Sequence, residues 1–530
     1  LRVTQPIAIR SFGGEQPALD GRILPQDKAQ ISRNMRLGYG RLEPLKANQA
    51  EGRTVAADTQ TIHLYNRDAN AGQGFWLQWD GDVDVINSPV IDDVYGRVFW
   101  AGDGAPKMSV ASIITASPPY PANQYLLGIP QPTNGTTLVV AGGADPDALP
   151  VSVVYAVTYV SAYGEEGPPS LPSAVVARPD GHGVTLSNLP GVPTGNYNIA
   201  TKRIYRSDGG EYLLVAEVAV ATASYVDTIV DADLLSVMES ESWDAPDAAL
   251  IGLTQLPNGV VAGHFDNVLC FTPAYIPHAW PTSYRLTTES KIVGIAQSAN
   301  GLIVATESFP YLCVGSDPQS MQLVPLDIPQ GCLSKRSIVD MGSFVLFASP
   351  DGLVAAGGED AKVITKSIFT KAQWQALNPA SFRAYLYDGA YLCFHDSGAF
   401  SLDIDNGDLT QLSDSVDCAQ YDAIKDRLYL CQEGVISEYD TGNALTAVFR
   451  SRKSLSNDQT AYAWGKVDAD AYPVTLRVYG DGALRHSKTV MSNRAFRLGS
   501  SRRYRVAELE IETSNTVHSV QLAISVRELV

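Results

Sequence analysis

The chain has no apolar run near the roughly twenty residues that a membrane-crossing helix needs. Its longest apolar stretches are strand-sized, such as Val151–Val160. The opening residues Leu1-Arg2-Val3-Thr4-Gln5-Pro6 contain no apolar segment of the kind a secretory signal carries, so the expectation is a signal that is absent or already removed. Charged residues make up only 18%, and low-complexity tracts and long charge runs are missing. With mean hydropathy near zero, that composition excludes a disordered chain.

Cysteine is scarce. Cys270, Cys313, Cys332, Cys393, Cys418 and Cys431 never approach a Cys-x-x-Cys spacing, which argues against a structural zinc site. Each lies among strand-forming neighbours, as in Val268-Leu269-Cys270-Phe271, so buried free thiols are expected, consistent with assembly in a reducing cytoplasm. The histidines, His63, His182, His264, His278, His395, His486 and His518, show no metal-ligand spacing and read as structural.

Signatures of catalysis are also lacking. There is no Gly-x-Ser-x-Gly elbow, His-Glu-x-x-His helix, Walker loop or dinucleotide fingerprint, and Gly38-Tyr39-Gly40 lacks both a third glycine and a preceding strand. Asp403-Ile404-Asp405-Asn406-Gly407-Asp408 clusters the carboxylates a hard cation requires. It has Gly at the fifth ligand position and no closing Glu, so a hairpin turn is the better reading. Asp82 with Asp84, and Glu165 with Glu166, are the carboxylate pairs to weigh for glycoside cleavage, with strand or turn acidity as the default. No catalytic, cofactor-binding or metal-binding residue is therefore assigned.

What is present is turn-rich and tyrosine-rich: Gly 44, Pro 31 and Tyr 25 in 530 residues, with 45% hydrophobic residues. That length exceeds one core, so two to four domains are expected. From Leu256 to Tyr439, Asn258-Gly259, Asn300-Gly301, Asp351-Gly352, Asp388-Gly389 and Asn406-Gly407 punctuate short apolar strands, the strongest short hairpin signal. Strand groups recur at roughly forty residues, the length of one propeller blade. Similar strands precede residue 130: Thr61–Tyr65, Phe75–Trp79 and Gly96–Trp100.

Between these regions, alternation at Val151–Val160, the turn Gly164-Glu165-Glu166-Gly167, and strands at Val184–Leu189, Lys202–Arg206, Tyr212–Val218 and Ser224–Asp227 predict a small antiparallel sandwich. At the C-terminal end, Tyr472–Tyr479, Tyr504–Glu512 and Val517–Leu529 alternate strictly, with Val520, Leu522, Ile524 and Val526 expected on one buried face and the last strand expected to run to Val530. From Arg450 onward thirteen basic residues face eight acidic ones, near +5, which leaves about −23 for the rest of a chain whose net charge is −18. An acidic body repels phosphate; it suits a low-friction wall around passing DNA, or simply solubility.

One phrase stands apart. Phe12-Gly13-Gly14-Glu15-Gln16-Pro17, Leu24-Pro25, Asn34 and Gly38-Tyr39-Gly40-Arg41-Leu42-Glu43-Pro44 resemble the start of the nozzle proteins of short-tailed phages, the tail tubular protein B or packaged-DNA stabilisation family. Pro25 would open a short helix running to Arg36, stopped by Gly38 and Gly40, with Ile31 and Met35 on one face. Tyr155-Ala156-Val157-Thr158-Tyr159, Arg203-Ile204-Tyr205-Arg206-Ser207 and Ser224-Tyr225-Val226-Asp227 are similar to fibronectin type III-like modules of phage structural proteins. Phe271–Pro281, Ser349–Val354 and Trp374–Pro379 also resemble phage tail phrases.

These resemblances imply an all-β protein: a β-propeller of about six blades with an inserted fibronectin type III-like sandwich and a C-terminal β-sandwich or added sheet. The expected segments are a docking arm at 1–50, propeller at 51–130 and 250–449, sandwich at 150–228 and the C-terminal unit at 450–530. A competing arrangement keeps the whole propeller after Ala248. The implied role is structural and non-enzymatic, a ring, expected as a hexamer, at the distal end of a virion tail, assembled in the host cytoplasm. It would hold the genome and conduct double-stranded DNA without sequence-specific binding or stable membrane insertion. Implied partners are a tail adaptor or tube protein and tail fibres or spikes. The alternatives are a tail-fibre or receptor-binding adaptor and a carbohydrate-active propeller enzyme.

Overall fold

The computed structural model describes residues 6–65, 74–133, 135–142, 147, 149–179, 181–499 and 503–529. These are almost wholly β, with two short α-helices, Ala111–Ile114 and Lys371–Ala376. They divide into two compact units, one of Leu1–Leu64, Ala296–Leu312 and Val324–Val530, the other of Tyr65–Ile295 and Cys313–Leu323.

The first unit contains successive four-stranded antiparallel meanders. One runs Val339–Asp340, Val345–Ser349, Gly352–Gly357, Asp360–Val363; the next Arg383–Tyr387, Ala390–His395, Gly398–Asp403, Asp408–Leu412. A third takes Cys418–Asp422, Arg427–Gln432 and Val435–Glu438, then draws its fourth strand, Gln49–Thr54, from the other end of the chain. The hairpins fall where the glycine dipeptides placed them. Asp388 and Gly389 both adopt positive φ, at 50° and 73°, as a tight hairpin turn demands. Successive meanders bury a shared apolar layer, for example Leu392, Phe394 and Leu412 against Leu428, Leu430 and Tyr439. Trp374, on a helix opened by the Thr370 and Gln373 capping box, donates its indole N–H to the Ser349 carbonyl at 2.8 Å. That bond pins the turn before Gly352.

The C-terminal part of this unit is a sandwich. Its sheets are Ile7–Ile9, Val517–Ala523, Trp464–Ala469 and Phe496–Arg497 on one side, and Ala447–Ser451, Tyr504–Thr513, Val474–Gly480 and Ala483–Val490 on the other. Alternation decides what Tyr504–Thr513 buries. Ala507, Leu509 and Ile511 enter the core, while Glu508, Glu510 and Glu512 point away, where Arg450 and Arg477 cover them. The final strand is shorter than expected. It stops at Ala523; Ile524 and Val526 are exposed, and a 3₁₀ turn capped by Ser525 follows at Val526–Glu528.

Residues 7–50 pack within the first unit, and the helix expected after Pro25 is a strand. Ala29–Arg33 lies antiparallel to Ala447–Ser451 and parallel to Asp408–Leu412, so it joins the second meander to the C-terminal sandwich as one ten-stranded sheet. Good helix formers such as Gln30 lose here because two sheet edges, both remote in sequence, pair with the backbone from either side.

The second unit holds two further meanders, Asp84–Asn87, Val98–Ala101, Lys107–Ser109, Tyr125–Leu126 and Ile251–Gln255, Val261–Phe265, Val268–Phe271, Leu286–Thr287. They share a core that includes Phe99, Met108, Leu253, Cys270 and Trp280. Meander sheets thus occur both before and after the sandwich. The sandwich packs Thr137–Val140, Val184–Ser187 and Ser224–Asp227 over Tyr155–Ser161, Ile199–Asp208 and Glu211–Ala219, around Tyr155, Val157, Val184, Leu186, Ile204 and Val215. It begins earlier than the expected residue 150, because Leu138 and Val140 pack against that core.

All six cysteines are buried and unbridged. Burial pushes the Cys270, Cys313 and Cys332 thiols up to about 12, and an un-ionised thiol is a poor nucleophile. Native protein is expected to react with a thiol reagent at none of these sites within minutes. Denatured protein without reductant should react at all six, and a smaller denatured count would mean that disulfides form.

Candidate functional site

The phrase Phe12–Pro44 is the feature to build from, and Phe12, Gly14, Glu15 and Asn34 within it each make a defined contact. Phe12 enters the C-terminal sandwich core and meets Phe449 edge-on at 5.0 Å. Gly14 passes so close to the second meander that a Cβ there would lie 2.2 Å from the Leu409 nitrogen. Its own N–H donates to Asp408 Oδ1 at 2.7 Å, and Glu15 N–H donates to the Leu409 carbonyl at 2.7 Å. Lys28 Nζ closes on the same Asp408 oxygen at 2.6 Å. Asn34 turns the chain at φ 51°, its side-chain oxygen accepting from Ser413 N–H at 3.1 Å.

Glu15 is buried and accepts the Ser32 N–H at 2.6 Å. Desolvation outweighs that bond and raises its carboxyl to about 7. A raised carboxyl favours folding while protonated. Its contribution is complete below about 4.5 and is lost as pH climbs through about 7, an effect on the order of 3 kcal/mol. Glu15→Gln is therefore expected to remove most of a stability loss that the unaltered protein shows between pH 5 and 8, measured by urea denaturation at each pH. Equal pH dependence in both proteins would contradict this account of Glu15.

Next to this segment lies a cleft of about 290 Å3, lined by Arg36, Gly38, Tyr39, Tyr387, Asp388, Ser401, Asp403, Asp405 and Tyr439 among others. Arg36 is anchored at its floor by Asp440, by Asp388 at 3.2 Å and by Glu43 at 3.5 Å. Tyr39 is 59% exposed at the rim, and Arg41 stacks over its ring at 5.5 Å. Chemically the cleft is a polar, tyrosine-lined recess that offers carboxylates for hydrogen bonding. No activated nucleophile or acid–base pair with separated roles lines it.

The carboxylates weighed in the sequence resolve differently. Asp403 caps its own turn, accepting from Asp405 N–H at 2.9 Å and Asn406 Nδ2 at 2.8 Å, while Asp408 is committed to Gly14 and Lys28. The segment is a hairpin loop, and among the described residues no group of three or more His, Cys, Asp or Glu is placed to hold a metal ion. Glu165 meets Arg97 at 2.9 Å, whereas Glu166 accepts from Thr158 at 2.6 Å, Arg203 at 2.6 Å and Tyr205 at 2.8 Å. Each glutamate thus has its own cation and hydroxyl partners, Arg97 and Ser161 for Glu165 and Arg203, Thr158 and Tyr205 for Glu166. Asp84 accepts the Gly252 N–H at 2.8 Å and ties two meanders together.

Sequence reading missed a polar centre buried in the sandwich. Arg206 and Asp227, neither with exposed side chain, pair at 2.5 Å; Tyr155 OH donates to Asp227 at 2.7 Å, and Arg206 and Arg178 both reach Asp231. The signal was present in the strand phrases, where Tyr155, Arg206 and Asp227 each sit at a position that alternation turns inward.

No family model matches the chain, and no curated protein matches it. Solved structures with partial likeness include the extracellular domain of a one component system from B. thetaiotaomicron (11% identity, covering 67% of this chain and 48% of that one, TM-score 0.28). Others are the AfRom2 CNH domain (8%, 71% and 98%, TM-score 0.26) and PorZ, a surface component of the type-IX secretion system of Porphyromonas gingivalis (12%, 62% and 45%, TM-score 0.25). The chain spans about half the length of the first and third of these. TM-scores this low carry no argument about function.

Proposed function

We propose that this chain is a structural component of a short phage tail, the nozzle-like ring at its distal end, and that its meanders form a propeller interrupted by the fibronectin-like sandwich. The observation that carries the reading is the Phe12–Pro44 phrase, whose Gly14, Glu15 and Asn34 each serve a specific contact that holds the start of the chain in the first unit. The strand Gln49–Thr54, which completes the third meander from the far end of the chain, supports the propeller, since rings of meanders fasten in that way. The role is mechanical. Subunits enclose a channel, retain the genome and conduct DNA at ejection, and the acidic body limits phosphate adhesion. On this reading chemistry has no part in it, in keeping with the ion pairs that engage Glu165 and Glu166.

The test is assembly. Purified chain mixed with its tail adaptor is expected to give a closed ring, a hexamer, by light scattering, with a central opening in class averages. A chain that stays monomeric inside assembled tails contradicts the proposal. A second reading, a receptor-binding adaptor, is favoured by the outer row Val139, Thr185 and Val226 on the sandwich, where both valines are over half exposed. Peripheral density without a central opening would support it. Hydrolysis of host polysaccharide would instead support an enzyme.

A further inference from the structure

One edge of the C-terminal sandwich carries charge that the subunit itself leaves unmatched. Ala483–Val490 ends the ten-stranded sheet and pairs on one side only, with Val474–Gly480. Across the core, the other sheet ends on Phe496–Arg497. Along this open side Lys488 stacks over Phe496 at 5.4 Å and Arg497 over Trp464 at 5.4 Å. Arg485, at this edge, and Arg494, in the turn before Phe496, add to it, with Arg503 and Arg505 at the start of Tyr504–Thr513, which lies one strand further in, beyond Val474–Gly480.

None of these six cations forms an ion pair with a carboxylate among the described residues. Arg485 spends its Nε on the Gly480 carbonyl at 3.1 Å. Elsewhere in the same sandwich cations are matched: Arg450 meets Glu508 at 3.0 Å, and Arg477 meets Glu510 at 2.8 Å and Glu512 at 2.6 Å. Leu484, 53% exposed, and Met491, 69% exposed, lie beside the unmatched cations. A basic and apolar edge on a chain of net charge −18 is complementary to the rest of that chain. Exposed carboxylates at hairpin tips, such as Asp405 and Asp426, are the kind of group it would meet.

We infer that this edge docks against the acidic surface of a second copy of the chain. Joining a basic edge to a different, acidic face makes a heterologous contact, the type that closes into a ring, so the inference rests on the ring in the proposed function and names its interface. Lysine and arginine on an edge strand deter strand addition. The contact is accordingly one of side chains rather than a continued sheet. Duplex DNA is the competing polyanion. An acidic subunit repels it, and Leu484 and Met491 offer apolar area that a protein surface covers better than a phosphate backbone does.

The experiment measures the mass of the full chain by light scattering, with and without the tail adaptor. Salt is set at roughly 50 mM and then 1 M, where the screening length falls from more than 10 Å to about 3 Å. Arg494→Glu/Arg503→Glu changes two exposed residues that form no ion pair among the described residues, and Arg494→Lys/Arg503→Lys keeps their charge. The expected result is assembly at low salt, dissociation at high salt, at least tenfold weaker assembly in the Glu variant and near-normal assembly in the Lys variant. Assembly that ignores both salt and charge reversal overturns the inference and leaves the nozzle reading standing. A wild-type chain that stays monomeric at low salt with adaptor present, yet retains duplex DNA through these arginines, overturns it in favour of nucleic acid. Absence of the chain from tails, with salt-sensitive self-association intact, overturns the nozzle reading alone.

Discussion

Gly14→Ala is expected to cost about 4 kcal/mol or more and to leave little soluble protein. The added Cβ would sit 2.2 Å from Leu409 N and 2.6 Å from Leu409 O, both backbone atoms of a sheet strand that cannot step aside without breaking its own ladder. Relief requires the segment to lift away, which would also break the Gly14 bond to Asp408, expose Phe12 and strand the buried Glu15. Gly499→Ala is the control, because nothing lies within 4 Å of a Cβ there. Urea denaturation of both variants reads the difference. A Gly14→Ala protein as stable as the control would mean that the N-terminal phrase does not hold this contact in solution.

The second large effect belongs to the sandwich. Asp227→Ala removes the carboxylate shared by Arg206 and Tyr155 and leaves a fully buried guanidinium, now held by Asp231 at 2.7 Å and the Ile229 carbonyl, beside the Tyr155 phenol that has lost its acceptor. Breaking one side of a buried pair typically costs about 3–5 kcal/mol, because the remaining charge stays desolvated. The full chain is expected to show an earlier thermal transition assigned to the sandwich. Replacing Arg206 and Asp227 together, by Met and Leu, should recover much of the loss, since an apolar pair carries no desolvation cost. A double variant no better than Asp227→Ala would show that packing, not charge, sets the penalty.

Much of the local architecture was legible in the sequence, since its signals are local. Asp388-Gly389 needs positive φ at both positions and says so in its residue types, and the alternation of Ala507, Leu509 and Ile511 with Glu508, Glu510 and Glu512 fixes which face of that strand is buried. The same rule gave out at Ile524, where alternation continues but Ser525 caps a 3₁₀ turn and ends the pairing. The N-terminal segment was misread for a different reason. Ala29–Arg33 has helix-forming composition, and only partners about four hundred positions away make it a strand; Gly14 and Asp408 are separated by 394 residues. A single sequence carries no record of such pairings. The candidate site was half legible: the phrase drew attention to Gly14, Glu15 and Asn34, whereas the cleft beside it depends on Asp388, Asp403 and Tyr439, which only the fold brings near Arg36.

Cryo-electron microscopy of tails from particles that contain this chain, with an antibody fragment bound to the sandwich as a marker, tests the central claim most directly. The account predicts a closed ring of copies on the tail axis at its distal end, around an open or gated channel, with the marker repeated once per subunit. Copies found only at the periphery, or particles whose axial channel contains none of the chain, would contradict it.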